Sequence, residues 1–71
     1  MRDRSHRPEN PAPARVLVVD GDPLMRWALT QTLLAHGCDV VEGGDAEQAR
    51  KAVEASREPF DVILLDYRLP D

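Results

Sequence analysis

The chain has a single cysteine, Cys38. One thiol closes no internal disulfide and supplies no thiolate metal cluster, which excludes a disulfide-stapled scaffold. Long apolar runs are missing as well. The strongest, at 16–19 and 62–65, fall far short of the roughly 20 residues needed to cross a bilayer. The N-terminal stretch holds no continuous apolar core segment, so no secretory signal is expected. Basic residues are outnumbered, 9 Lys and Arg against 13 Asp and Glu, and they form no cluster suited to a nucleic-acid surface. These absences lead us to expect a cytoplasmic protein that binds neither membrane nor nucleic acid through this segment. At 71 residues there is room for one small domain, near the lower size for a self-sufficient core.

What is present is organised around residues 60–71, FDVILLDYRLPD. Val62, Ile63, Leu64 and Leu65 are apolar without alternation, the pattern of a strand covered on both faces in a parallel sheet. Asp66 stands where that strand ends. In open α/β sheets, ligands are bound at the C-terminal strand ends, which makes Asp66 the first candidate for chemistry. An aspartate that merely opens a turn is the plain alternative. Residues 15–20, RVLVVD, raise the odds of chemistry by repeating the same design, a short apolar strand closing on Asp20.

Around these strands the chain reads in a simple order. Residues 1–14 hold three prolines, three arginines and little that is apolar, and we expect a disordered leader. Asp22 and Pro23 suit the cap and first position of a helix reaching about His36, with Gly37 as its left-handed stop. Met25, Ala28, Leu29, Thr32 and Leu33 form the stripe expected to pack on the sheet, with Trp27 off its centre. Residues 38–42 read as a second strand. Asp45 and Gln48 then suggest the capping box of a helix running to about Arg57, with a small-residue face at Ala49, Ala52, Val53 and Ser56. Pro59 ends it and delivers the chain to the third strand. The order is β-α-β-α-β. Right-handed crossovers that return over the first strand give the order 2-1-3 and set Asp20 beside Asp66. Two facing carboxylates repel, and a hard divalent ion such as Mg²⁺, bound through oxygen, removes the conflict.

These residues resemble the response-regulator receiver family of two-component signalling. The likeness covers residues 15–71 and is carried by VLVVDGDPLMRWAL (16–29), the glycine-bounded second strand, and VILLDYRLPD (62–71). The RWAL and DYRLPD stretches look most like the nitrogen-control regulators, in which a receiver precedes a sigma-54-dependent ATPase and a DNA-binding domain. The resemblance implies an α/β, flavodoxin-like doubly wound parallel sheet, present here only as its N-terminal half, and no enzyme. It implies that Asp66 accepts phosphate from a sensor histidine kinase. It also implies that Mg²⁺ is held by Asp20, Asp66 and the backbone carbonyl of Arg68. The second acid of the family's pair is Gly21 here, and Asp22 is expected to be used in capping. The family's later hydroxyl residue and lysine have no counterpart within these 71 residues, so a truncated receiver is expected. Its third strand would form an exposed apolar edge through which receivers could self-associate.

Two rivals stay open. One keeps the fold without the chemistry, as a degenerate receiver used for docking or dimerisation. The other takes Asp20-Gly21-Asp22 as the Asp-x-Asp motif of haloacid-dehalogenase-like phosphatases, with Asp20 as nucleophile and Asp22 as acid/base. A dinucleotide-binding half-fold is weaker, because the first turn lacks the necessary glycine pattern.

Overall fold

The computed structural model describes residues 12–66. Five elements follow one another: β1 (Arg15–Val19), α1 (Pro23–Ala35), β2 (Asp39–Gly43), α2 (Ala46–Ala55) and β3 (Val62–Leu65). The strands form one parallel sheet in the order β2-β1-β3, the order expected from the crossover argument. Crossovers that lead first to one side of β1 and then to the other lay the two helices on opposite faces. Both helices touch β1, so this strand is covered above and below. Val16, Leu17, Val18 and Val19 are accordingly the buried apolar core. Burial of such side chains stabilises by about 1.5–3 kcal/mol each, an upper figure because unfolded chains already hide some surface.

The helices begin where the sequence signals place them. The Asp22 side chain accepts from the N–H groups of Leu24 (3.0 Å) and Met25 (3.4 Å), with Pro23 at the first helical position. At α2, Asp45 accepts from Gln48 N–H at 2.8 Å. The Gln48 side chain reaches back not to the cap residue but to Gly44 N–H, at 2.7 Å. Gly37, with φ 83°, ends α1 in the left-handed region, and His36 Nδ1 lies 2.8 Å from the Thr32 carbonyl. Helix α2 stops at Ala55, two residues before Arg57, because Ser56 is already extended and its hydroxyl is bonded to the Glu58 carbonyl and to Arg15.

The sheet-facing side of α1 differs from the expected stripe. Leu29 and Leu33 are half-buried as expected, but they are joined by Arg26 and the buried Thr30, while Met25, Ala28 and Thr32 are exposed. Apolar residues lie almost all round this helix, including the exposed Leu24, Trp27 and Leu34, so spacing alone did not fix its rotation. Trp27 is 57% exposed, off the packed face as read. On α2, Ala49 and Ala52 are half-buried as expected, as is Ser56 just past its end, and Val53 is exposed.

At the N-terminal edge of the sheet, Arg15 fastens the α2–β3 connection to β1. Its guanidinium donates to Ser56 Oγ (2.8 Å) and the Glu58 carbonyl (2.6 Å) and lies 4.7 Å from the centre of the Phe60 ring. Its backbone N–H donates to the Asp61 carboxylate at 2.8 Å, and Asp61 N–H returns a bond to the Arg15 carbonyl. Of the leader expected over 1–14, residues 1–11 lie outside the described residues; 12–14 are exposed and carry no helix or strand. Among the described residues no helix is long and apolar enough to cross a membrane.

Strand β3 pairs with β1 on one side only among the described residues, and all four of its side chains are exposed, Ile63 to 52% and Leu65 to 59%. A flat apolar edge without proline or internal charge is a template for pairing with another chain. We expect the 71-residue chain to sediment as a concentration-dependent mixture. Ile63→Lys, which puts a charge into the edge at little cost to the core, should shift it towards monomer. A wild-type chain that sediments as a monomer and melts in one sharp transition would contradict this.

Candidate functional site

The last rung between β1 and β3 pairs Val19 with Leu65. Asp20 and Asp66 each stand one residue beyond it, on neighbouring strands. The Asp66 N–H donates to the Val19 carbonyl at 3.0 Å, so the ladder continues up to the edge itself. Parallel neighbours are about 4.8 Å apart, so both carboxylates rise from one short stretch of sheet edge. The sequence reading placed this pair together, and the fold brings it together.

The two aspartates are held differently. Asp20 is only 3% exposed and is fixed at three points. Its N–H donates to the Gly43 carbonyl at 3.1 Å, extending the β1–β2 ladder. Its carboxylate Oδ1 accepts the Asp22 N–H at 2.9 Å. Its carbonyl accepts from an Arg26 guanidinium nitrogen at 2.6 Å. Buried polar groups of this kind persist because each is hydrogen-bonded. Oδ2 is then the oxygen that Asp20 can offer to a ligand. Asp66 is half-buried, and its backbone is placed by that ladder bond.

The neighbours of this pair sort into clear roles. Asp22 is exposed, and its Oδ1 holds two helix N–H groups, as expected from the sequence. That oxygen is thereby engaged in capping α1. Gly21 is exposed and does not occupy the left-handed region, so a side chain there would meet no backbone strain. Arg68, expected to offer its carbonyl, lies outside the described residues.

The donors at this edge suit a hard cation by kind, since both are carboxylate oxygens presented by rigid strands. By number they are few: among the described residues no group of three His, Cys, Asp or Glu side chains is gathered for a metal ion. Gly21, next to Asp20 in the chain, adds no side chain to it.

Sequence reasoning missed Arg26, Glu42 and Gly44. Arg26 Nε donates to Glu42 Oε1 at 3.1 Å while its terminal nitrogen reaches Asp20, so one guanidinium joins α1, the end of β1 and β2. A Cβ at Gly44 would lie 3.2 Å from that same terminal nitrogen, so glycine keeps the space the arginine uses. The available signal was a lone cation four residues past the helix cap, in line with Leu29, Thr30 and Leu33.

Comparison with known proteins agrees with this geometry. The model of the response regulator receiver domain matches residues 16–71. The transcriptional regulatory protein AruR of Pseudomonas aeruginosa is 44% identical over 59 residues, covering 79% of this chain and 24% of its own. The DNA-binding response regulator MtrA of Mycolicibacterium smegmatis is 45% identical over 56 residues, with the same two coverages. A protein-glutamate methylesterase/protein-glutamine glutaminase of Rhizobium etli is 45% identical over 62 residues, covering 84% of this chain and 17% of its own. The chain thus spans about a quarter or less of the length of these relatives. No solved structure matches it significantly. The match extends to relatives named for quite different activities, so it carries the family rather than the nitrogen-control class within it. The strand order, the aspartates that end neighbouring strands and the match over residues 16–71 together establish that this chain belongs to the response regulator receiver domain family of two-component systems.

Proposed function

We propose that this chain serves as the phosphoacceptor part of a receiver, with Asp66 taking a phosphoryl group from a sensor histidine kinase. The observation that supports this most is the register that ends β1 and β3 on Asp20 and Asp66 together. A carboxylate oxygen of Asp66 attacks the phosphorus of a phosphohistidine, forming a P–O bond as the P–N bond breaks. The electron pair leaves with the imidazole, which takes up a proton, and Asp66 becomes an acyl phosphate. Asp20, with Asp66 and the carbonyl of Arg68, would hold Mg²⁺. When bound, that ion offsets the charge on the phosphoryl oxygens. Asp20 serves this role by being rigid: its ladder bond and its bond from Asp22 hold the offered oxygen at a constant place beside Asp66.

We infer that the group is received and held rather than turned over, so the segment is a signalling module and no enzyme. Its setting would be the cytoplasm, where histidine kinases present their phosphate. The names of AruR and MtrA support a transcriptional output. A sigma-54-dependent output of the nitrogen-control kind rests only on the RWAL and DYRLPD stretches. Self-association through β3 would provide a receiver–receiver contact. A second reading, a receiver that docks or dimerises without phosphorylation, is favoured by one observation: the residue after Asp20 is glycine, and among the described residues no three ligand side chains are gathered for a metal ion.

Two measurements separate these readings, each made on the protein expressed at full length from its own gene. Mg²⁺ should bind weakly, and Gly21→Asp should tighten it roughly tenfold, equivalent to about 1.4 kcal/mol. Trp27, in the second turn of α1, reports the titration by fluorescence, and superimposable curves for wild type and Gly21→Asp would remove Gly21 from the metal question. A small phosphodonor should label Asp66, giving an acid-labile, hydroxylamine-sensitive bond that disappears in Asp66→Ala. Label that survives this substitution would sink the assignment. A wild type that takes no label while folded and dimeric would instead support the docking reading.

A further inference from the structure

We propose that Arg26 is a positioning residue for the acidic edge, fixing the Asp20 backbone and, through it, the carboxylate oxygen offered to a divalent cation. This rests on the reading of Asp20 as a metal ligand and adds to it the group that sets that ligand's place. Arg26 stands on the sheet-facing side of α1, in line with Leu29, Thr30 and Leu33, where an apolar residue would ordinarily pack. Its guanidinium uses two nitrogens in two directions. The terminal nitrogen donates to the Asp20 carbonyl at 2.6 Å, and Nε donates to Glu42 Oε1 at 3.1 Å. The first contact is short and charge-assisted, of the kind that carries more energy and geometry than a neutral bond. The second comes from the end of β2 and steers the first, because the two donors belong to one planar fork.

The contact is made to the residue that matters and not only to its strand. The Asp20 carbonyl is bound to Arg26, its N–H is bound to Gly43, and its Oδ1 is bound to the N–H of Asp22. Backbone and side chain are thereby fixed together, and Arg26 is the only side chain among the described residues that donates to Asp20. The side chain of Arg26 is 22% exposed, so solvent competes only partly for the fork. Gly44 leaves the room the fork occupies, since a Cβ there would come to 3.2 Å from it. A brace joining helix to sheet would need an ion pair with Glu42. It would not need a bond to the carbonyl of a candidate ligand.

The distinction can be read without phosphorylation. In the protein expressed at full length from its own gene, Arg26→Lys keeps the charge but cannot reach both partners as a fork. The N–H of Asp22 reports Asp20 with no metal present, because Asp20 Oδ1 is its acceptor. We expect its hydrogen exchange in Arg26→Lys to quicken about tenfold beyond the change at Val18, and the Mg²⁺ dissociation constant to rise about tenfold, the usual scale for losing an outer-shell partner. Exchange that quickens equally at Asp22 and Val18, with Mg²⁺ affinity of the folded protein unchanged, would reduce Arg26 to a brace and overturn the proposal. Should Arg26→Lys fail to fold, Glu42→Ala and Glu42→Gln decide. Both remove the same charge, but glutamine keeps an acceptor for Nε, so Mg²⁺ affinity should fall several-fold further in alanine than in glutamine, and equal losses would reject a geometric role. Asp20→Asn tests the underlying reading separately: unchanged Mg²⁺ binding there dismisses Asp20 as a ligand, while the Asp22 exchange result still judges Arg26.

Discussion

Everything at the acidic edge depends on β1 being hydrogen-bonded on both sides. A parallel strand with partners to left and right, and a helix over each face, has no surface of its own to adjust. Its four core residues are buried and its register is set twice, by β2 and by β3. The residue that follows it inherits that rigidity. Asp20 continues the ladder to Gly43, and Asp66 continues the ladder from β3 back to Val19, so both aspartates are placed by main-chain bonds before any side-chain contact is considered.

The helix ends add a further layer. Parallel strands joined by crossover helices put both helix N-termini at the edge where the aspartates stand, with Asp22 and Asp45 closing them. Each capping side chain satisfies N–H groups left over by its helix, a contribution of about 1 kcal/mol. Acidic residues are thus plentiful here but not equivalent. Asp22 and Asp45 are engaged by their own helices, and Asp20 and Asp66 are the pair that the strands, not the helices, present.

Much of this was legible in the sequence, for physical reasons that can be named. Unalternating apolar runs closing on aspartate identified β1 and β3, and the handedness of crossovers fixed their adjacency without any knowledge of contacts. Cap chemistry located both helix starts, since Asp22-Pro23 and Asp45 with Gln48 act within one turn of chain. What was not legible depended on contacts between distant residues. Helix α1 has apolar side chains on most of its circumference, so periodicity placed Met25 inward where Thr30 is found. The packed face also holds Arg26, whose partners are Glu42 on β2 and Asp20 just past β1. Helix α2 ended early for a similar reason, its last turn giving way to the bonds that Ser56 makes beyond the helix.

Arg15, at the far edge from the aspartates, has a consequence for how the pair comes into being. Its partners on the α2–β3 connection lie 41 to 46 residues along the chain, among the longest-range contacts of the described fold. Closing loops of that length costs entropy that grows slowly with length and must be met before the contacts are gained. The β1-α1-β2 unit needs no such closure, and Asp20 belongs to it, together with Arg26 and Glu42. Asp66 arrives only with β3. The acidic pair therefore exists solely in the conformation where the chain has completed its most distant strand pairing, and any event that frees β3 parts Asp66 from Asp20.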